Sequence, residues 1–208
     1  MTDKEFIKKI QAVSKESKNL IYGDGGFNIR RGMAHSISGN VEDLFALFIA
    51  SKIGRKELTY YVDKVISFRK HKKAKATSFK PDLMIINSNN VMTHYFDVKT
   101  NLGWNRHLKD YVIKKHVFIE KLKERNSAWI TLKNEKAINV SVSDKLKYHM
   151  VVVYGGNINS RTMADNRKIV AELDNVNLDV LFHDEETDSF ELDQGAFSNI
   201  HNSIINNI

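Results

Sequence analysis

A chain of 208 residues with no cysteine can bury a proper core in one domain, and it excludes a disulfide framework, a thiolate metal site and a cysteine nucleophile. Its longest apolar runs, at 44–50, 83–86 and 150–154, fall well short of the roughly 18 residues of a membrane span. The N-terminal segment carries too much charge for a secretory signal, so a cytoplasmic protein with no membrane partner is expected. Lysine and arginine number 32 against 25 acids, a formal net charge of +7. Such a surplus favours a polyanionic partner, because neutralising phosphates releases condensed counterions.

In chain order, Phe6, Ile7, Ile10, Val13 and Leu20 recur at helical spacing, which predicts an amphipathic helix over 4–20. A glycine-rich stretch at 22–40 reads as a long loop of the kind that often carries function. Asn40 is the expected N-cap of an apolar helix over 41–53, with Glu42 in its first turn and Gly54 as its stop. Residues 57–68 are β-branched and aromatic and predict one strand. Arg69 to Lys75 then read RKHKKAK, five formal positive charges in seven residues. Asp82 opens a second strand, Ser88-Asn89-Asn90 is a turn signal, and a third strand runs to Thr100. The clearest helix spans 105–125, with Leu108, Tyr111, Val112, Lys115, Phe118, Ile119 and Leu122 along one face. Residues 126–147 give no clear pattern. A buried strand at 148–154, a helix at 160–173, an outer strand at 176–182 and a short helix within 197–208 complete the chain. The order predicts an α/β (or α+β) fold, with one central mixed sheet flanked by helices, in a single domain over 1–208.

The one proline of the chain, Pro81, stiffens the entry to Asp82. Asp97 and Lys99 stand two apart on the next strand, so both side chains face the same side of the sheet. If the strands on either side of the Ser88–Asn90 turn pair, Asp82 lies opposite Asp97. Two carboxylates then converge as part of a Mg²⁺ ligand set, an ion that keeps several waters and takes further oxygens from a substrate phosphate. Each residue also has a bland role: Asp97 and Lys99 as a surface pair worth about 0–1 kcal/mol, Asp82 as a strand starter, and Glu42 as an acid favoured at a helix N-terminus.

Pro81-Asp82, fourteen residues, then Asp97-Val98-Lys99, set between apolar strands, resembles the active-site pattern of the PD-(D/E)xK nuclease superfamily. The motif covers about 81–99, and the surrounding order of elements extends the resemblance over a catalytic core of about 40–155. Type II restriction endonucleases are the most similar members in size and plan. The resemblance implies Mg²⁺-dependent hydrolysis of phosphodiester bonds in duplex DNA at a specific sequence, by a homodimer. It implies Asp82 and Asp97 as metal ligands with the Val98 carbonyl, and Lys99 as the group that orients the attacking water and stabilises charge on the phosphate. A glutamate from the preceding helix often joins such sites. Glu42 matches by position, and its neighbour Asp43 points about 100° away on a helix, so at most one of them faces the metal.

The basic run Arg69, Lys70, Lys72, Lys73 and Lys75, together with Arg30 and Arg31 in the loop, are the expected DNA contacts. Arginines suit guanine edges and lysines suit phosphates. Asn101 and Asn105, just after the Asp97–Lys99 strand, are further candidates for phosphate or base edges. A junction resolvase or repair endonuclease of the same superfamily is the alternative within the enzyme class. A catalytically inactive DNA-binding module is the alternative outside it. The eight histidines show no metal-ligand spacing.

Overall fold

The computed structural model describes residues 1–19, 37–101, 108–131, 137–155, 159–182 and 192–206. It is an α/β fold: a mixed sheet flanked on both faces by helices. Among the described residues the elements run α1 (Asp3–Asn19), α2 (Ser38–Ile53), β1 (Thr59–Val62), β2 (Ile66–Phe68), β3 (Thr77–Phe79), β4 (Leu83–Ile86), β5 (Val91–Asn101), α3 (Leu108–Arg125), β6 (Ala128–Ile130), β7 (Ile138–Val142), β8 (Tyr148–Tyr154), α4 (Ser160–Ala171), β9 (Val176–Phe182) and α5 (Gln194–Asn206).

The long strand β5 organises the sheet. On one side it pairs antiparallel with β4, which pairs antiparallel with β1. On the other side its first residues pair in parallel with β7, and its remainder pairs in parallel with β8, followed by β9. The sheet therefore forks at β5. One branch continues through β8 and β9, and the other through β7, β6, β2 and β3.

Strand alternation sorts the side chains into two cores. Met84, Ile86, Tyr95, Met150, Val152 and Val180 pack with Leu108, Val112, Phe118, Ile119 and Leu122 of α3 and with Met163 and Val170 of α4. On the opposite face Leu83, Ile85, Phe96, Val98, Val151 and Val153 meet Phe6, Ile7 and Ile10 of α1, Phe45, Phe48 and Ile49 of α2, and Phe197, Ile200 and Ile204 of α5. The continuous apolar run of β8 follows from this, since a strand inside a parallel segment is covered on both faces. No described helix is long and apolar enough to cross a membrane.

Several sequence expectations change. The second helix begins at Ser38, three residues before the expected start at Val41: Asn40 lies inside it, Ile37 takes the N-cap position without a side-chain hydrogen bond, and the first turn holds no acid. Gly54 does end that helix, in the left-handed region at φ 66° with its amide on the Ala50 carbonyl. The single strand expected over 57–68 is two strands, broken at Asp63, which adopts φ 53°. Asp tolerates this conformation better than most residues. β2 leaves the β1 partner for a different branch of the sheet. The unpatterned 126–147 region contributes β6 and β7. Residues 20–36, which hold most of the expected loop with Arg30 and Arg31, lie outside the described residues, as does Asn105.

Candidate active site

Asn87, Asn89 and Asn90 build the β4–β5 turn. The Asn87 side chain accepts from the amides of Asn89 and Val91, both at 3.0 Å, and Asn90 takes φ 57°. Next to the turn Ile86 stands opposite Met92, and a one-residue shift between Ile85 and Ile86 then sets Ile85 opposite His94, Met84 opposite Tyr95 and Leu83 opposite Phe96. One step further, Asp82 falls opposite Asp97 at the open end of the hairpin. Pro81 is buried immediately before it.

Asp82 turns its carboxylate across the hairpin. Its Oδ2 accepts the Val98 amide at 2.6 Å and lies 3.6 Å from Lys99 Nζ. Burial pushes its pKa up, Lys99 pulls it down, and the charge of Asp97 pushes it up again. Two carboxylates thus crowd one end of the sheet, an arrangement that could take up a hard divalent cation. Lys99 follows Asp97 on the same face, with a side chain 36% exposed. Its ammonium can therefore meet a ligand from solvent.

Asp97 is only 3% exposed. A single oxygen, Oδ2, accepts Tyr111 Oη at 2.6 Å and Tyr148 Oη at 3.0 Å and pairs with Lys115 Nζ at 2.9 Å. Tyr111 and Lys115 are one helical turn apart on α3 and so share a face. Tyr148 opens β8 next to Tyr95 of β5. Lys115 also donates to Tyr95 Oη at 2.9 Å. Burial pushes both Tyr111 and Tyr148 upward, and the Asp97 charge adds to it, so both phenols stay protonated donors.

Glu42 approaches from α2. Its carboxyl is pushed up by burial first, then by the charges of Asp82 and Asp63, while Lys80 and Lys99 pull it down. It therefore shares the electrostatic neighbourhood of Asp82 and Lys99, whereas Asp43 is exposed. Because α2 starts three residues earlier than expected, Glu42 is past the first turn, where the helix dipole has already faded. The favourable-terminus role does not account for it.

The structure brings Asp82, Asp97, Lys99 and Glu42 to one end of the sheet. Of Val98 it shows the amide, not the carbonyl, engaged with Asp82. Arg69, Lys70, Lys72, Lys73 and Lys75 are exposed on the turn between β2 and β3. That hairpin is inserted between β1 and β4, and its base is tied by Lys80 Nζ to Asp63 Oδ1 at 2.6 Å and by the Asp63 amide to the Asp82 carbonyl at 3.2 Å. The basic turn thus springs from the chain segments that flank Asp82. Arg69 lies over the Trp129 ring, 5.4 Å from its centre. Asn101 ends β5, with its backbone beside Tyr154.

Sequence reasoning missed Lys115, Tyr111, Tyr148 and Tyr95 as parts of the site. A signal existed: Lys115 sits in the apolar stripe of its helix, where a lysine needs a buried partner. Among the described residues no three His, Asp or Glu side chains close into a metal cage. A partial set of carboxylates with open positions suits Mg²⁺ better than a full cage does. Comparisons with known protein families, curated proteins and solved structures give no match.

Proposed function

We propose that this protein is a Mg²⁺-dependent endonuclease that hydrolyses phosphodiester bonds in duplex DNA, of the restriction-endonuclease type within the PD-(D/E)xK superfamily. The observation that carries the reading is the register of β4 against β5. It sets Asp82 opposite Asp97, with Lys99 on the same face and 3.6 Å from Asp82 Oδ2. Asp82 and Asp97 would hold the ion, joined by the Val98 carbonyl, and Glu42 would add negative charge near Asp82 from the α2 side without closing a third ligand. When bound, the ion polarises the scissile phosphate and lowers the pKa of a coordinated water.

The chain's own residues do the rest. Lys99 is the partly exposed lysine of the site. Its ammonium orients the attacking water beside Asp82 and stabilises the charge that develops on the phosphate oxygens. The Val98 amide and Lys99 keep Asp82 in place before substrate arrives. The phenols of Tyr111 and Tyr148 hold Asp97 from behind. Preorganisation of this kind costs no rearrangement during the reaction.

The formal charge of +7 and the exposed basic turn support a nucleic-acid substrate. A site with two-fold symmetry is read most simply by two copies of the chain, hence a homodimer. Arg30, Arg31, Asn101 and Asn105 remain candidate contacts for DNA edges and phosphates.

The test is incubation of the purified protein with duplex plasmid and Mg²⁺. Discrete fragments are the expected result. Cutting confined to branched or damaged DNA would point instead to a resolvase or repair enzyme. Binding with no cutting in Mg²⁺ or Mn²⁺ would leave only a DNA-binding module.

A further inference from the structure

We propose that Lys115 is a positioning residue of this site, the built-in counter-charge that holds Asp97 aimed at the metal position before any cation arrives. This rests on the nuclease reading above and adds to it a residue outside the Asp82, Asp97, Lys99 pattern.

The geometry separates two lysines with two jobs. Lys99 is partly open to solvent and pairs with Asp82. Lys115 is 6% exposed and cannot touch a substrate. Its Nζ is held at 2.9 Å from both Asp97 Oδ2 and Tyr95 Oη. Four rings surround it, with centres at 4.8 Å for Tyr95, 4.9 Å for Phe79, 5.1 Å for Tyr148 and 5.4 Å for Tyr111. A lysine on a surface sweeps through many rotamers, but one in an aromatic cage presents its charge along a fixed direction.

Stability alone does not call for this arrangement. A buried ion pair is often no better than an apolar residue of similar volume, and Lys115 stands in a stripe of Val112, Phe118, Ile119 and Leu122 where a methionine would fit. What a methionine could not do is balance a carboxylate. Lys115, Tyr111 and Tyr148 all bind the same oxygen. Three donors on Oδ2 fix the plane of the carboxylate and leave Oδ1 as the oxygen for a ligand. The Lys115 charge also offsets the repulsion between Asp97 and Asp82 at the hairpin end. The site is then formed in the metal-free protein, at the cost of weaker cation binding, since a positive charge already occupies Asp97.

The test compares thermal melting of the wild-type chain, Lys115→Met and Lys115→Arg, each in EDTA and in MnCl₂, with Mn²⁺ affinity titrated directly. Lys115→Met should melt lower in EDTA, gain several-fold more from Mn²⁺ than the wild type, and bind Mn²⁺ about tenfold more tightly. Lys115→Arg should resemble the wild type in its response to Mn²⁺. If Lys115→Met is too unstable to melt in EDTA, Asp97→Asn is added to it. A counter-charge role requires the double variant to be more stable than Lys115→Met, because the unpaired carboxylate is gone. A Mn²⁺-induced shift in Lys115→Met equal to that of the wild type, or a double variant less stable than the single one, would reduce Lys115 to packing and overturn the proposal. A wild type that binds no Mn²⁺ fails differently: it removes the metal site itself, and the nuclease reading with it.

Discussion

At the scale of single residues, Asp82 and Asp97 do the same proposed job from different surroundings, and their variants should separate. Asp82 is half-buried and holds a backbone amide and a partly exposed lysine. Among the described residues Asp97 is the one carboxylate paired with the buried Lys115 ammonium. Asp97→Ala strands Lys115, and an uncompensated buried charge costs about 3–5 kcal/mol. The expected outcome is a melting point lowered by roughly 10 °C. Asp82→Ala should fold with a clearly smaller loss. Both should lose cleavage. Melting curves check this, and equal stability of the two alanine variants would contradict the environment assigned to Asp97. For a clean test of catalysis, Asp97→Asn is therefore preferable to alanine. The nearness of Asp82 and Asp97 was legible in the sequence because the asparagine turn closes β4 and β5 into a hairpin, but the one-residue shift between Ile85 and Ile86 that sets them directly opposite was not. The cage around Lys115 was not, because Tyr148 lies 51 residues from Asp97 in the chain and joins it only through the parallel pairing of β5 and β8.

At the scale of elements, the packing of β5, β8 and β9 against α5 sets the pH dependence of stability. Burial holds His149 down to about 3, with the neighbouring His94 adding to it, and burial holds His94 down to about 4. His149 contacts Ser203 of α5 through Nε2 at 3.1 Å and stacks on Phe96. Both imidazoles are neutral in the fold and charge more readily when unfolded. Their contribution is present above about 6.5, the ordinary histidine value, and is lost as pH falls towards the folded values. Asp179 of β9 runs the other way. Burial pushes it up to about 7, against a hydrogen bond from Asn199 of α5 that pulls it down. A raised carboxyl contributes stability that is full below its unfolded value and lost as pH rises through about 7. Asp179→Asn should therefore gain stability over the wild type at pH 8, on the order of 2–4 kcal/mol, with much less gain at pH 5. His149→Phe should flatten the acid limb between pH 6.5 and 4. Urea unfolding across pH measures both, and an Asp179→Asn gain independent of pH would contradict the burial account.

If Arg69, Lys70, Lys72, Lys73 and Lys75 of the basic turn hold phosphates, neutralising several should flatten the slope of log K against log salt by about 0.9 for each phosphate no longer held. An unchanged slope would make the turn a solvated face. The hairpin that carries this turn was hidden in the sequence. Apolar and β-branched residues run on through Val62 and Val65 with no glycine or proline between them, and β3 and β6 are three residues each, too short to show a period. The long helices and β8 were legible because their patterns extend over several turns or a whole buried strand.

At the scale of the molecule, the sheet with helices on both faces was legible from the order of its elements, and its forked topology was not, since pairings such as β5 with β7 join segments far apart in sequence. A calcium exchange tests the site as a whole. Ca²⁺ should support DNA binding without cutting, because it accepts loose oxygen coordination yet activates water poorly, and cleavage in EDTA would exclude a metal mechanism. The most direct measurement is the initial rate of duplex plasmid cleavage in Mg²⁺ by the wild type and by Lys99→Met, with DNA binding and Mn²⁺ affinity measured alongside. The wild type should cut, and the Lys99→Met rate should be lower by roughly 10²–10³, with both binding constants within a few-fold. Equal rates for the two proteins, or no cutting by the wild type in Mg²⁺, would contradict the nuclease assignment.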